Sequence, residues 1–117
     1  MSKSLNHHQL IGYFGSDPRY RELDSGTVVN FSLATHESWK DKISGDKKER
    51  TDWHNVVCYD QLAKIAKEHL KKGSKVYLAG RVQTRKWMDE ANTERYTTET
   101  IVQDLIMLGS SSVVAEE

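Results

Sequence analysis

Apolar and polar positions alternate along much of this chain, and each interruption of the alternation marks a turn. The run "QLIGYFG" stops at Gly15 and the turn signal "SDP", which predicts a first strand ending near Phe14. A brief extended piece, "RYREL", precedes the turn at "DSG". In "TVVNFSLAT", Thr27 to Thr35, Val29, Phe31 and Leu33 share one face with Asn30 and Ser32 opposite, the period of a half-buried strand. Residues 36 to 50 are nearly all polar, with Lys40, Lys42, Lys47, Lys48 and Arg50 around "SGD", and predict a long hairpin loop before a third strand from Thr51 to Tyr59. The period then changes: in "DQLAKIAKEHLKKG", Leu62, Ile65, Ala66, His69 and Leu70 recur at helical spacing. Asp60 is the expected N-cap and Gly73 the expected stop, giving about three turns. Alternation resumes in "KVYLAGRVQT", a polar tip runs from Met88 to Glu94, and "RYTTETIVQDLIML" returns as a β-branched last strand.

Three strands, a helix and a two-stranded hairpin give an all-β fold class. Five antiparallel strands with one α-helix between the third and fourth form the element order of an OB-fold barrel. At 117 residues the chain is sized for one domain. We place that domain at residues 1–108 and read the polar end, "GSSSVVAEE" at 109–117, as a short flexible tail.

Composition changes the picture mainly through the distribution of charge. The formal net charge is zero, yet Trp39 to Trp87 holds thirteen Lys and Arg against six Asp and Glu, a net of +7, and the remainder is correspondingly acidic. All three tryptophans fall in the basic half. No apolar run approaches the roughly 20 residues of a membrane span, and "MSKSLNHHQL" lacks a signal-peptide core, so the expected compartment is the cytoplasm. The one cysteine, Cys58, lies in the alternating run "NVVCYD" and reads as a buried, inert thiol. Five histidines form no ligand spacing, and no "HxxxH", "CxxC" or phosphate-cradling glycine loop occurs. Neither a catalytic residue, a metal site nor a cofactor is expected.

The tryptophans keep unusual company in "ESWKDK", "RTDWHN" and "TRKWMDE". On the third predicted strand Trp53, Asn55, Val57 and Tyr59 share one face. Trp53 and Tyr59 stand roughly 20 Å apart at about 3.3 Å per residue, too far to stack on each other and far enough to meet different nucleotides. Trp39 and Trp87 sit at the ends of the second and fourth predicted strands, in or beside the two longest loops, and both loops carry cations. Unpaired bases expose apolar π-faces, each worth about 1 to 3 kcal/mol when stacked on an aromatic ring, and neighbouring cations neutralise the phosphates between them. Aromatic platforms interleaved with Lys and Arg therefore suit single-stranded nucleic acid; duplex DNA offers no free base faces.

The segments "GSDPRYR", "SLATHESWKDKISGDKKERTDWHNVV", "LAKIAKEHLKKGSKVYLAGRVQTRKW" and "RYTTE" resemble, in order and spacing, the bacterial single-stranded DNA-binding proteins over nearly the whole chain. The resemblance implies a sequence-nonspecific protein that coats and protects single-stranded DNA in replication, recombination and repair. It assigns stacking to Trp39, Trp53, Tyr59 and Trp87, with Tyr59 where phenylalanine is common. It assigns phosphate contact to Lys42, Lys72 and Arg85, and supporting contacts to Arg21, Lys71 and Lys86. It further implies a homotetramer, a dimer of dimers, with His54 near the subunit contact, and a cytoplasmic, nucleoid-associated setting in bacteria.

The departures are specific. Asn55 and Gln83 stand where relatives often carry arginine, and "GYFG" replaces a more usual "GNLG", bringing in Tyr13. The linker and acidic tip with which bacterial members recruit repair and replication enzymes are not in this sequence, so tail-mediated recruitment is not expected. Either the sequence is a shortened form, or it comes from a plasmid, phage or mobile element. Two rival readings of the same residues are an enzyme, for which no recognisable ligand set occurs, and a protein-binding OB module, in which the aromatics anchor an interface. Stacking and phosphate contacts do not by themselves separate DNA from RNA.

Overall fold

The computed structural model describes residues 3–108, so the tail expected at 109–117 lies outside the described residues. Six strands and a helix follow in the order β1 (His8–Phe14), β2 (Arg19–Leu23), β3 (Gly26–Lys40), β4 (Lys47–Tyr59), α1 (Asp60–His69), β5 (Lys75–Met88) and β6 (Glu94–Leu108). The sheet order is β1-β5-β6-β4-β3-β2, and a β1–β3 pairing at Tyr13↔Ala34 and Phe14↔Leu33 closes five of the strands into a barrel. This is the expected OB-type architecture. The short β2 is the sixth strand, lying outside the closed ring against the first part of β3. All ladders are antiparallel except β4–β6, which meet in parallel at Val56↔Thr100 and Val57↔Ile101.

Alternation builds the interior. Leu10 and Phe14 of β1, Val29, Phe31 and Leu33 of β3, Val56 and Cys58 of β4, and Val76 and Leu78 of β5 form one buried cluster. Within it the Phe14 and Phe31 rings stack at 3.9 Å between centroids. Helix α1 adds Ala63, Ala66 and Leu70 to the cluster. Burial pushes the Cys58 thiol up to about 12, so it stays protonated and inert at neutral pH. At Ala79/Gly80 the β5–β6 register shifts, and a Cβ on Gly80 would collide with the Ile101 carbonyl. The extra residue is Gln103 of β6, and glycine at position 80 leaves room for that bulged strand to approach β5 closely.

Three local expectations are corrected. The polar stretch at 36–50 is mostly strand: β3 and β4 pair continuously from Val28↔Tyr59 to Lys40↔Lys47, leaving only residues 41–46 as a turn. A two-stranded ribbon wet on both faces carries no apolar period, so periodicity cannot reveal it. The helix ends at His69, not at Gly73; Leu70 is already extended and His69 is exposed. Asp60 does not cap the helix, whose N-cap is Tyr59 without a side-chain bond. Asp60 instead has φ 53° and its carboxylate accepts from the Thr27 amide at 3.4 Å, tying the helix start to the β2–β3 turn.

Candidate nucleic-acid interface

Beyond the barrel, β3–β4 and β5–β6 continue as two-stranded arms. Because β4 and β6 run in parallel where they meet, both arms leave the barrel at the same end. Strand registers assign each side chain to a face. On the outer face lie Trp53, Asn55, Val57 and Tyr59 of β4 opposite Ala34, Ser32, Asn30 and Val28 of β3. The same face continues through Ile101, Glu99 and Thr97 of β6 to Arg81, Gln83, Arg85 and Trp87 of β5. Arg19 and Arg21 of β2 extend it beside Asn30 and Val28. Residues far apart in sequence thus share one surface. Val28, Val57 and Ile101 form a small buried cluster at its centre.

The aromatic side chains are open to solvent: Trp53 is 63% exposed, Tyr59 46%, Trp39 45% and Trp87 41%. Their seats are built by neighbours. A Cβ on Gly15 would strike the outer edge of the Trp53 indole, so glycine at this turn gives the ring room to lie against the backbone. The Trp87 indole donates from Nε1 to the Thr97 hydroxyl at 2.8 Å, fixing the ring across the β5–β6 ladder. Tyr59 ends β4 at the start of α1.

Between the aromatic positions lies a cleft of about 310 Å³ lined in part by Arg19, Asn30, Ser32, Asn55, Arg85 and Glu99. Arg85 donates from Nε to the Glu99 carboxylate at 3.0 Å, and Glu99 is only 5% exposed. A buried carboxylate with an arginine partner orients the guanidinium while leaving its other N–H groups free to donate. Arg21 reaches Asn30 Oδ1 at 3.4 Å. The Lys71–Lys72 turn is tied to the end of β1 and the turn after it, with the Lys72 amide donating to Asp17 at 2.9 Å and the Gly73 amide to the Phe14 carbonyl at 2.8 Å. Both lysines are therefore close in space to the Gly15 seat of Trp53.

The remaining expected site residues lie elsewhere. Lys42 sits in the turn at the tip of the β3–β4 arm, which the Asp41 carboxylate organises by accepting from the Ile43 amide at 2.8 Å. Trp39, opposite Lys48, and Lys86, opposite Tyr96, occupy the reverse faces of their arms. Lys86 Nζ is 2.8 Å from Glu94. His54 points to the barrel side of β4, where its Nε2 lies 2.9 Å from the Thr35 hydroxyl and its ring meets His8 edge-on at 5.6 Å. Burial, and secondarily the nearby His8, hold its pKa below the ordinary histidine value.

Arg19 was not among the expected site residues, although "RYR" places Arg19 and Arg21 at a spacing of two and hence on one face. It brings a cation into the cleft that also holds Asn55, one of the two positions where the sequence resemblance led arginine to be expected. At the other, Gln83, Arg81 donates to the side-chain carbonyl at 3.0 Å. No group of three or more potential metal ligands occurs among the described residues.

Residues 5–108 match the model of the single-strand binding protein family. The chain is also similar to a solved Plasmodium falciparum SSB in complex with ssDNA, at 39% sequence identity and a TM-score of 0.82. That match covers 93% of this chain and 99% of the other.

Proposed function

Because the chain belongs to the single-strand binding protein family, we propose that it coats single-stranded DNA, with little base preference, and shields it during replication, recombination and repair. Family members are binding proteins, not enzymes. The observation that carries this reading is the continuous outer face holding Trp53, Tyr59 and Trp87 with Arg19, Arg21 and Arg85. Bases stack on the rings and phosphates meet the guanidinium and ammonium groups, so contacts repeat along the strand without reading base edges. Trp39, Trp53, Tyr59 and Trp87 are the platforms; Lys42, Lys72 and Arg85 contact phosphate, with Arg21, Lys71 and Lys86 in support. The residues 1–108 form the binding domain.

The same reading makes the working unit a homotetramer. Ile11 of β1, Tyr77 of β5 and Ile106 of β6 stand side by side on the outer sheet surface, and Ile11 and Ile106 are about half exposed. Over His8–Gly12, β1 pairs only with β5, leaving a strand edge beside this apolar row. His54 and His8 lie near the same strand and would border the subunit contact. No described helix is long and apolar enough to cross a membrane; in a bacterial cell the protein's place is on exposed strands at the nucleoid.

Fluorescence anisotropy with labelled oligo-dT and with a duplex of equal length tests the function. Tight binding of oligo-dT that duplex cannot compete away is expected; equal affinity for both would refute it.

A further inference from the structure

The two arms carry a repeated unit on their reverse faces that the outer-face platforms do not include. On the β3–β4 arm Trp39 lies directly opposite Lys48; on the β5–β6 arm Tyr96 lies directly opposite Lys86. Directly opposed residues place their Cβ atoms about 4.5–5.5 Å apart, so each ring has an ammonium-bearing stem beside it. Tyr96 is 66% exposed, more than any of the three tryptophans. Met88, two residues from Lys86 and so on the same face, is also about half exposed. A large apolar ring and a thioether open to water at the end of a two-stranded arm contribute little to the barrel's own packing.

From this we propose that Tyr96 is a further base platform, which together with Trp39 binds a second segment of the same single strand on the reverse side of the arms. Both reverse faces continue the inner side of adjacent barrel strands, and both arms leave the barrel at the same end. A strand crossing the outer face over Trp87 therefore needs only to pass around the edge of the β5–β6 arm to meet Tyr96. The reverse faces also hold Glu37, Asp52 and Glu94, with Asp52 bonded to Arg50 and Glu94 to Lys86. Their charge is close to balanced, so stacking rather than phosphate neutralisation carries the attraction there. A strongly acidic protein partner would find no excess of cations on this face.

The proposal rests on the ssDNA reading and separates from it by strand length. Tyr96→Ala and Tyr96→Phe are compared with the parent on an oligo-dT of about 8 nucleotides, short enough for one face, and on one several times longer, given OB-fold site sizes of about 4–16 nucleotides. Tyr96→Ala is expected to bind the short strand as the parent does and the long strand several-fold more weakly, with an unchanged salt slope; Tyr96→Phe should behave as the parent. Parental binding of both lengths by Tyr96→Ala would overturn the proposal, as would equal losses on both. A change of oligomeric state in sedimentation would overturn it too, by showing that the ring faces another copy. Trp53→Ala is the control: if it binds both lengths as tightly as the parent, the outer-face reading fails, independently of Tyr96.

Discussion

Trp53 depends on a residue with no side chain. Gly15 has an ordinary backbone conformation, so Gly15→Ala should fold, but the new Cβ would displace the indole from its seat. We expect Gly15→Ala to weaken oligo-dT binding toward the roughly 1 to 3 kcal/mol expected for Trp53→Ala, with the thermal midpoint nearly unchanged. Titration calorimetry beside a melting curve checks both halves. At Arg19 the expected effect differs in kind. Removing a phosphate-contacting cation lowers the slope of log affinity against log salt by about one without changing base preference. Arg19→Ala should show that loss in a salt series, and an unchanged slope would remove Arg19 from the groove.

His54 gives a pH dependence whose sign follows from its lowered pKa. The unfolded chain binds a proton near the ordinary value, about 6.5, while the folded site resists it because burial, and secondarily His8, oppose the positive charge on His54 and only Asp52 favours it. Stability is therefore complete above the unfolded value and falls as pH drops from there through the folded pKa. Denaturant titrations across that window should show the decline, and His54→Gln should flatten it. No flattening would mean that another group sets the slope.

At the scale of elements, barrel and arms follow different rules. A strand with one dry face writes a period of two into its sequence, which is why Val29, Phe31 and Leu33 could be placed inside from the sequence alone. Helix α1 was equally legible in its middle, where Ala66 is buried and Leu62 and Ile65 are partly so, but not at its ends. Asp60 looked like a cap, yet its carboxylate is used by the Thr27 amide, a tertiary contact that no local pattern encodes. The β3–β4 arm was not legible as strands, because neither face of the ribbon at 36–40 and 47–51 is buried. Nor was the split between faces: Trp39 and Trp53 both read as platforms, but only the register β3↔β4 sets them on opposite sides. The arms' independence of the core has a consequence. Trp39→Ala should leave the melting temperature within the small range usual for surface substitutions, about 0.5 kcal/mol in stability, while weakening binding. A large drop in melting temperature would mean that Trp39 packs structurally.

For the whole molecule, the even charge balance conceals a division of labour. The cations concentrate in the central segment that builds the arms, and the outer face gathers arginines from β2 and β5 around aromatic rings from β4 and β5. The surface away from the arms is apolar at Ile11 and Ile106. Burying a charge in a subunit contact is strongly unfavourable, so Ile11→Glu should shift the sedimenting species toward smaller assemblies while single sites still bind DNA. An unchanged sedimentation profile would place the proposed contact elsewhere. The most direct measurement of the central claim is intrinsic tryptophan fluorescence, titrated with oligo-dT and with duplex DNA of equal length at low and moderate salt. Strong quenching by oligo-dT alone, weakened by salt, is the expected result, since bases must lie on exposed indoles between neutralised phosphates. Absence of quenching by either ligand would contradict it, and would mean that the exposed tryptophans face something other than a nucleic-acid strand.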